Sequence, residues 1–332
     1  MWRFSCNSRV ATVYRDIMHK QAPPKATLNK WLISYSSSKK GYGHILLEQI
    51  VPGDATIREG LRPYFESAHS DAREYFHAYA GMSLHPDAGA PGCNAKYPNC
   101  LPPKARRGVF GEVMSGLMTE ALDFVGNHEW IVPVFLFRNQ EDARQYIYVL
   151  SRDPARKREV LGRKGDDFIG IVVNDDGAVT RFIAGEAKWR KKWIPSVLDD
   201  VMLGTKIEVP KKSGNLVHDG KGVWFEINRA LDVPIGVKQL QDILQELAPD
   251  EYANVILSLD KIQQLQNPAP SERTDLILLI GGSAAGRGEG EPLLEWETKP
   301  SQHQKNRDLQ VVEIILSDGD ALIDALYDSL WP

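Results

Sequence analysis

A chain of 332 residues, 42% of them hydrophobic, can bury a large core and exceeds the usual single-domain length, so two domains are expected in preference to one. With 40 basic against 44 acidic side chains the net charge is −4, which argues against a generally basic nucleic-acid coat, and the three cysteines, Cys6, Cys93 and Cys100, are too few for a disulfide framework. Arg3, Arg9 and Arg15 interrupt the N-terminal segment and no later apolar run is long enough for a signal peptide or membrane span, so a soluble, cytoplasmic chain without a membrane partner is expected.

From Ala55 to Ala80 the apolar residues Ile57, Leu61, Tyr64, Phe65, Tyr75, Phe76 and Tyr79 recur at helical intervals, and the spacing predicts two short helices interrupted at Pro63 and near Ser70. Residues 83–103 concentrate Pro, Gly, Asn and Cys, which predicts a connecting loop. The expected division is therefore an N-terminal α-rich accessory domain, 1–103, and a second domain, 104–332. Cys93 and Cys100 with His85 or His77 lack the closely spaced pairs of a zinc site, and free thiols are the plainer reading.

Gly108 to Val125 carries a broad apolar helical face and predicts a buried helix. Ile131 to Phe137 predicts a central strand despite Pro133. Phe168 to Val173 and Ala178 to Ala187 predict two strands joined in a hairpin by Asn174-Asp175-Asp176-Gly177. Helices are expected after Pro195 and over Val237 to Leu247. Strands are expected over Asn254 to Leu259, Leu276 to Ile280 and Val311 to Leu316, and a closing amphipathic helix over Gly319 to Leu330. The class is α/β.

Chemistry concentrates on that hairpin. An acid, Asp166 or Asp167, opens the first strand, with Asp167 preferred because it directly precedes the apolar run. Glu186 and Lys188 close the second strand two residues apart, hence on one face. Two carboxylates are hard oxygen ligands for a divalent cation, and a lysine beside them can orient water and offset charge on a phosphorane. Residues 101–195 hold 16 Lys or Arg against 13 Asp or Glu, so this stretch is +3 and the remainder is −7. The cations bracket the hairpin: Arg152, Arg156, Lys157, Arg158, Arg163 and Lys164 before it, and Arg190, Lys191 and Lys192 after it, interleaved with Trp189 and Trp193. Cations contact phosphates, and the tryptophans suit either base stacking or the core.

Gly111-Glu112 on a helix, Lys164-Gly165-Asp166-Asp167, Gly185-Glu186-Ala187-Lys188 and the apolar strand Asp275 to Ile280 resemble the PD-(D/E)xK nuclease superfamily, and within it the HamA nuclease subunits of the Hachiman antiphage defence system. The similarity spans roughly residues 105–330. It implies a restriction-endonuclease-like mixed sheet flanked by helices. It also implies a metal and water site of Asp167, Glu186 and Lys188 supported by Glu112, Mg2+ with Mn2+ as substitute, DNA bound by Arg163, Lys164, Arg190, Lys191 and Lys192, and a separate helicase partner, HamB-like. Asp166 stands where the superfamily has its proline.

Three other patterns compete. Glu-x-Lys on a strand is commonly a solvated ion pair, and Glu297-Thr298-Lys299 with Asp275 upstream repeats the pattern in a looser context followed by Pro300. Gly281 to Gly288 is glycine-rich like a phosphate loop but lacks the following Gly-Lys-Ser/Thr. His69, His77, His128 and His218 have no nucleophile at motif spacing. Besides a DNA nuclease, the sequence allows a catalytically silent nucleic-acid-binding or scaffold protein with a nuclease-like fold, or a metal-dependent phosphohydrolase acting on nucleotides or RNA.

Overall fold

The computed structural model describes residues 19, 21–37, 39–80, 97–99, 101–122, 129–135, 166–208, 216–234, 236–247, 249–250, 252–264, 272–283 and 286–332. Helix α1 (Lys25–Trp31) leads into β1 (Leu32–Ser37) and β2 (Gly43–Gln49), followed by the long helices α2 (Ala55–Ala80) and α3 (Pro103–Ala121). Strands β3 (Ile131–Phe135), β4 (Phe168–Val173) and β5 (Val179–Trp193) come next, then α4 (Pro195–Leu203), the short strands β6 (Lys206–Glu208) and β7 (Leu216–His218), and α5 (Val223–Arg229). The chain continues through α6 (Gly236–Leu247), α7 (Ala253–Gln263), β8 (Glu272–Ser283), β9 (Asp308–Ile315) and α8 (Gly319–Ser329).

Seven strands form one mixed sheet in the order β1-β2-β9-β8-β5-β4-β3, while β6 and β7 pair separately. Its centre, β2, β9, β8 and β5, is parallel, and β1, β4 and β3 add antiparallel flanks. Central parallel strands must be apolar on both faces because helices cover both. In β8 every residue from Arg273 to Gly281 is buried. Leu276, Leu278 and Ile280 pack with α2, α3 and α8 on one face. Ile277 and Leu279 pack with α4 and α5 on the other. A separate cluster on that second face joins Ile169, Ile171 and Phe182 to α6 and α7. Among the described residues no helix is long and apolar enough to cross a membrane.

Four expectations are corrected. The described residues before 104 do not fold as an α-rich body apart: β2 pairs with β9, and Ile57, Leu61, Tyr64 and Phe65 of α2 share a core with α3 and α8. Strands β1 and β2, six and seven residues long, were missed: β1 holds only Leu32, Ile33 and Tyr35 among serines, and the apolar run of β2 is confined to Ile45, Leu46 and Leu47. Helix α2 is continuous for 26 residues through Pro63. An interior proline costs about 3 kcal/mol, whereas each buried large side chain returns roughly 1.5–3 kcal/mol, so four of them outweigh it.

Strand β3 lies at the sheet edge and not at its centre, consistent with Pro133, which lacks a ladder donor. Residues 254–259 are helical, within α7, since Val255, Ile256, Leu259 and Ile262 fall at helical intervals and all are buried against α6 and the sheet. A short apolar run does not separate strand from helix.

The hairpin joining β4 and β5 follows its turn chemistry. The Gly177 amide donates to the Asn174 carbonyl at 3.0 Å, and the Asn174 side chain accepts from the Asp176 and Ala178 amides at 3.1 and 2.8 Å. Gly177 takes a positive φ of 79°, which glycine adopts without steric cost. β5 is 15 residues long and runs well past its pairing with β4, whose register begins at Phe168↔Gly185. Asp167, Glu186 and Lys188 lie where that pairing ends.

Candidate functional site

Alternation along β5 sends Ala187 toward α3, where the Gly111 and Ala187 Cβ positions would lie 3.3 Å apart, and sends Glu186 and Lys188 to the opposite face. Gly185 is required for this approach: a Cβ there would sit 1.8 Å from the Leu276 carbonyl oxygen of β8. The Lys188 ammonium donates to Glu186 Oε2 at 2.6 Å. Just before β4, Asp167 donates its amide to the Gly185 carbonyl at 3.0 Å, and its Oδ2 accepts the Ala187 amide at 2.7 Å. The Asp167 carboxylate thus docks on the β5 backbone between Glu186 and Lys188, and the two-residue spacing and hairpin register gather all three side chains.

Electrostatics at this point are strained. Glu186 is 7% exposed. Burial first, then the neighbouring Asp167 charge, push its carboxyl up from 4.5 to about 8, against the opposing pull of Lys188. Burial by itself would lower the Lys188 ammonium, but Glu186 and Asp167 together outweigh it and the group is raised. The directions in these two residues pull against each other: a fully formed ion pair would lower Glu186, and burial beside Asp167 prevents that. The geometry favours the rise, because Glu186 is enclosed while Lys188 retains 29% side-chain exposure. Burial and Asp167 thus push Glu186 toward its protonated form, and a cation stronger than Lys188 would oppose that push.

Glu112 is not gathered into this group. It lies on α3, packed on the far face of the sheet, and its charge is felt by the Tyr327 hydroxyl on α8. Among the described residues no set of three His, Cys, Asp or Glu side chains comes close enough to hold a metal ion. Two carboxylates nonetheless suit a cation that keeps most of its waters, as Mg2+ does when a substrate phosphate completes its shell, so Asp167 and Glu186 fit that group and Glu112 does not. Asp166 is committed elsewhere, to a buried ion pair with Arg273 at 2.7 Å.

Arg190, Lys191 and Lys192 are exposed at the open end of β5; Lys191, with an 87% exposed side chain, lies 3.5 Å from Asp320. The tryptophans interleaved with them are packing residues: Trp193 is buried with α4 and α5, and Trp189 packs edge-on against Phe110. Arg163, Lys164, the cations from 152 to 158, Cys6, Cys93 and Cys100 lie outside the described residues.

The competing set is dispersed. Asp275 is fully buried among Arg273, His303 and Arg307; Glu297 is 81% exposed beside Lys39; and Lys299 donates to the Arg307 carbonyl. The glycine-rich segment begins inside β8, and no helix among the described residues follows it before α8. Sequence reasoning missed Arg273, His303, Arg307 and Glu226. Charged residues inside an otherwise apolar buried strand, Arg273-Thr274-Asp275 ahead of Leu276, were the available signal for the first.

No family model and no curated protein matches this chain.

Proposed function

We propose that the chain is a metal-dependent nuclease that hydrolyses phosphodiester bonds in DNA, of the PD-(D/E)xK type, with Asp167, Glu186 and Lys188 as its reacting centre. The observation that carries this reading is an enclosed glutamate in contact with a lysine at 2.6 Å, beside an aspartate docked on the same strand between the two. Such an arrangement is costly to fold and is relieved by a divalent cation.

Asp167 and Glu186 would hold the cation, which when bound supplies a Lewis acid for a phosphate oxygen and an acidified water. Asp167 is kept in place by the Ala187 amide, so its carboxylate is oriented before anything binds. With Glu186 turned to the cation, the Lys188 ammonium would no longer be tied to that carboxyl and could donate to the developing charge on phosphorus or orient the attacking water. Arg190, Lys191 and Lys192 supply cations along the strand for the phosphate backbone, a contribution that is independent of sequence and sensitive to salt.

The resemblance to HamA nuclease subunits extends this proposal to antiphage defence in the cytoplasm and to a separate helicase chain that restrains or delivers the nuclease. Plasmid DNA incubated with Mg2+ and the purified chain, with and without that partner, tests it against a folded Glu186→Ala, Lys188→Ala double variant. Cleavage by the wild type alone supports the proposal, and equal cleavage by both proteins removes this site. Calorimetry with Mn2+ separates the nuclease from a silent scaffold: a scaffold shows no uptake that depends on Glu186.

A further inference from the structure

Beside the Asp167–Glu186–Lys188 group lies a buried charged network that the proposed chemistry does not use. Its centre is Arg273 on β8, whose side chain is 2% exposed. The guanidinium donates in three directions: to Asp166 Oδ1 at 2.7 Å, to Asp275 Oδ1 at 3.1 Å and to the Leu231 carbonyl at 2.7 Å. Asp275, fully buried, also accepts from Arg307 Nε at 3.0 Å and faces His303 Nε2 at 2.9 Å. A carboxylate only accepts, so that ring nitrogen carries the hydrogen. Arg307 then binds the Ile227 and Leu231 carbonyls at 2.9 and 3.1 Å, at the end of α5. The same short helix bears Glu226, whose charge acts on Lys188.

Buried ion pairs of this kind contribute little net stability, because desolvation offsets their attraction; well-packed apolar residues often serve as well. What the network does supply is position. Two adjacent aspartates open β4, and a cation beside Glu186 could recruit either one. Arg273 neutralises Asp166 and pins it toward β8, while Asp167 turns to the β5 backbone. The rigid planar guanidinium spreads its donors over a carboxylate, a second carboxylate and a carbonyl in fixed directions, which the compact ammonium of a lysine does not reproduce.

We propose that Arg273 is a positioning residue that decides which aspartate serves the site: by holding Asp166 in a buried pair, it leaves Asp167 to share a divalent cation with Glu186. This rests on the metal-binding reading above and deepens it. Mn2+ binding to the full chain, followed by the loss of the free-ion paramagnetic resonance signal, tests it without reference to cleavage. Asp167→Asn is expected to weaken Mn2+ binding at least about tenfold, whereas Asp166→Asn, whose amide oxygen still accepts from Arg273, stays within about threefold of wild type.

Arg273→Lys, which keeps the charge but loses the fork, is expected to weaken binding about tenfold at unchanged circular dichroism. The opposite ranking of the two aspartate variants overturns the inference, as does a folded Arg273→Lys protein that binds within about twofold of wild type. If Arg273→Lys does not fold, the aspartate ranking alone decides. A wild-type chain that takes up no Mn2+ sinks the metal reading itself and this inference with it, an outcome distinct from either result above.

Discussion

Replacing Glu186 by glutamine removes one ionisable proton from an enclosed position and changes almost nothing in shape. In the folded chain burial and Asp167 hold the Glu186 carboxyl near 8, whereas an exposed carboxyl in the unfolded chain titrates near 4.5. Between those values the folded chain binds the extra proton and the unfolded chain does not, so stability falls as pH rises from about 4.5 to about 8 and levels off above. At about 1.4 kcal/mol per decade of binding constant, the ceiling on this loss is roughly 5 kcal/mol. Glu186→Gln cannot lose a proton. Its stability relative to wild type should therefore grow across that window by up to several kcal/mol, with Lys188 and Asp167, which interact with Glu186, sharing in the change while titrating groups remote from it cancel.

Urea denaturation of both proteins from pH 5 to pH 9, with no divalent cation present, measures that difference. Repeating it at pH 8 with Mg2+ at about one hundred times its dissociation constant should restore about 2.7 kcal/mol to the wild type and nothing to the variant. Parallel pH curves for the two proteins would refute the argument that Glu186 is held protonated by its surroundings. Equal stabilisation of both by Mg2+ would refute its role in holding the cation.

Three further outcomes are expected. Lys188→Met should lower cleavage by about a hundredfold or more while Mn2+ binding is kept, since the proposed mechanism has the lysine act on the reacting phosphate and not on the ion; a loss of Mn2+ uptake of the same size would assign it a purely structural role. Gly185→Ala should destabilise the chain by more than about 4 kcal/mol or prevent folding, because its Cβ has only the Leu276 backbone to meet, and a melting temperature within a few degrees of wild type would show that β5 and β8 can separate locally. Reversing charge at Arg190, Lys191 and Lys192 together should leave stability within about 0.5 kcal/mol for each change and reduce the salt dependence of duplex binding by roughly two to three in log–log slope. An unchanged slope in a fluorescence anisotropy titration would place the phosphate contacts elsewhere.

The local features legible in the sequence were those carried by short-range chemistry. Asn174 to Gly177 dictated a turn, the turn dictated an antiparallel pair, and a two-residue spacing placed Glu186 and Lys188 on one face; each step depends on neighbours within a few residues. Apolar period marked α3, α6, α8, β8 and β9 in the same way. Where the periodic signal was short, as at Asn254 to Leu259, or where polar residues diluted it, as in β1, the assignment required knowing what packs against the segment.

The tertiary structure alone decided which acids meet. Gly111 of α3 packs on Ala187, whereas Glu186 and Lys188 point to the other face of β5, so α3 and its Glu112, whose charge acts on Tyr327, lie across the sheet from them. In sequence Asp167 is favoured over Asp166 only by its place next to the apolar run, and Arg273, more than a hundred residues later, separates the two physically by pairing with Asp166. Such pairings arise from the order of strands in the sheet, and that order is set by the burial of many distant side chains together and by no single motif.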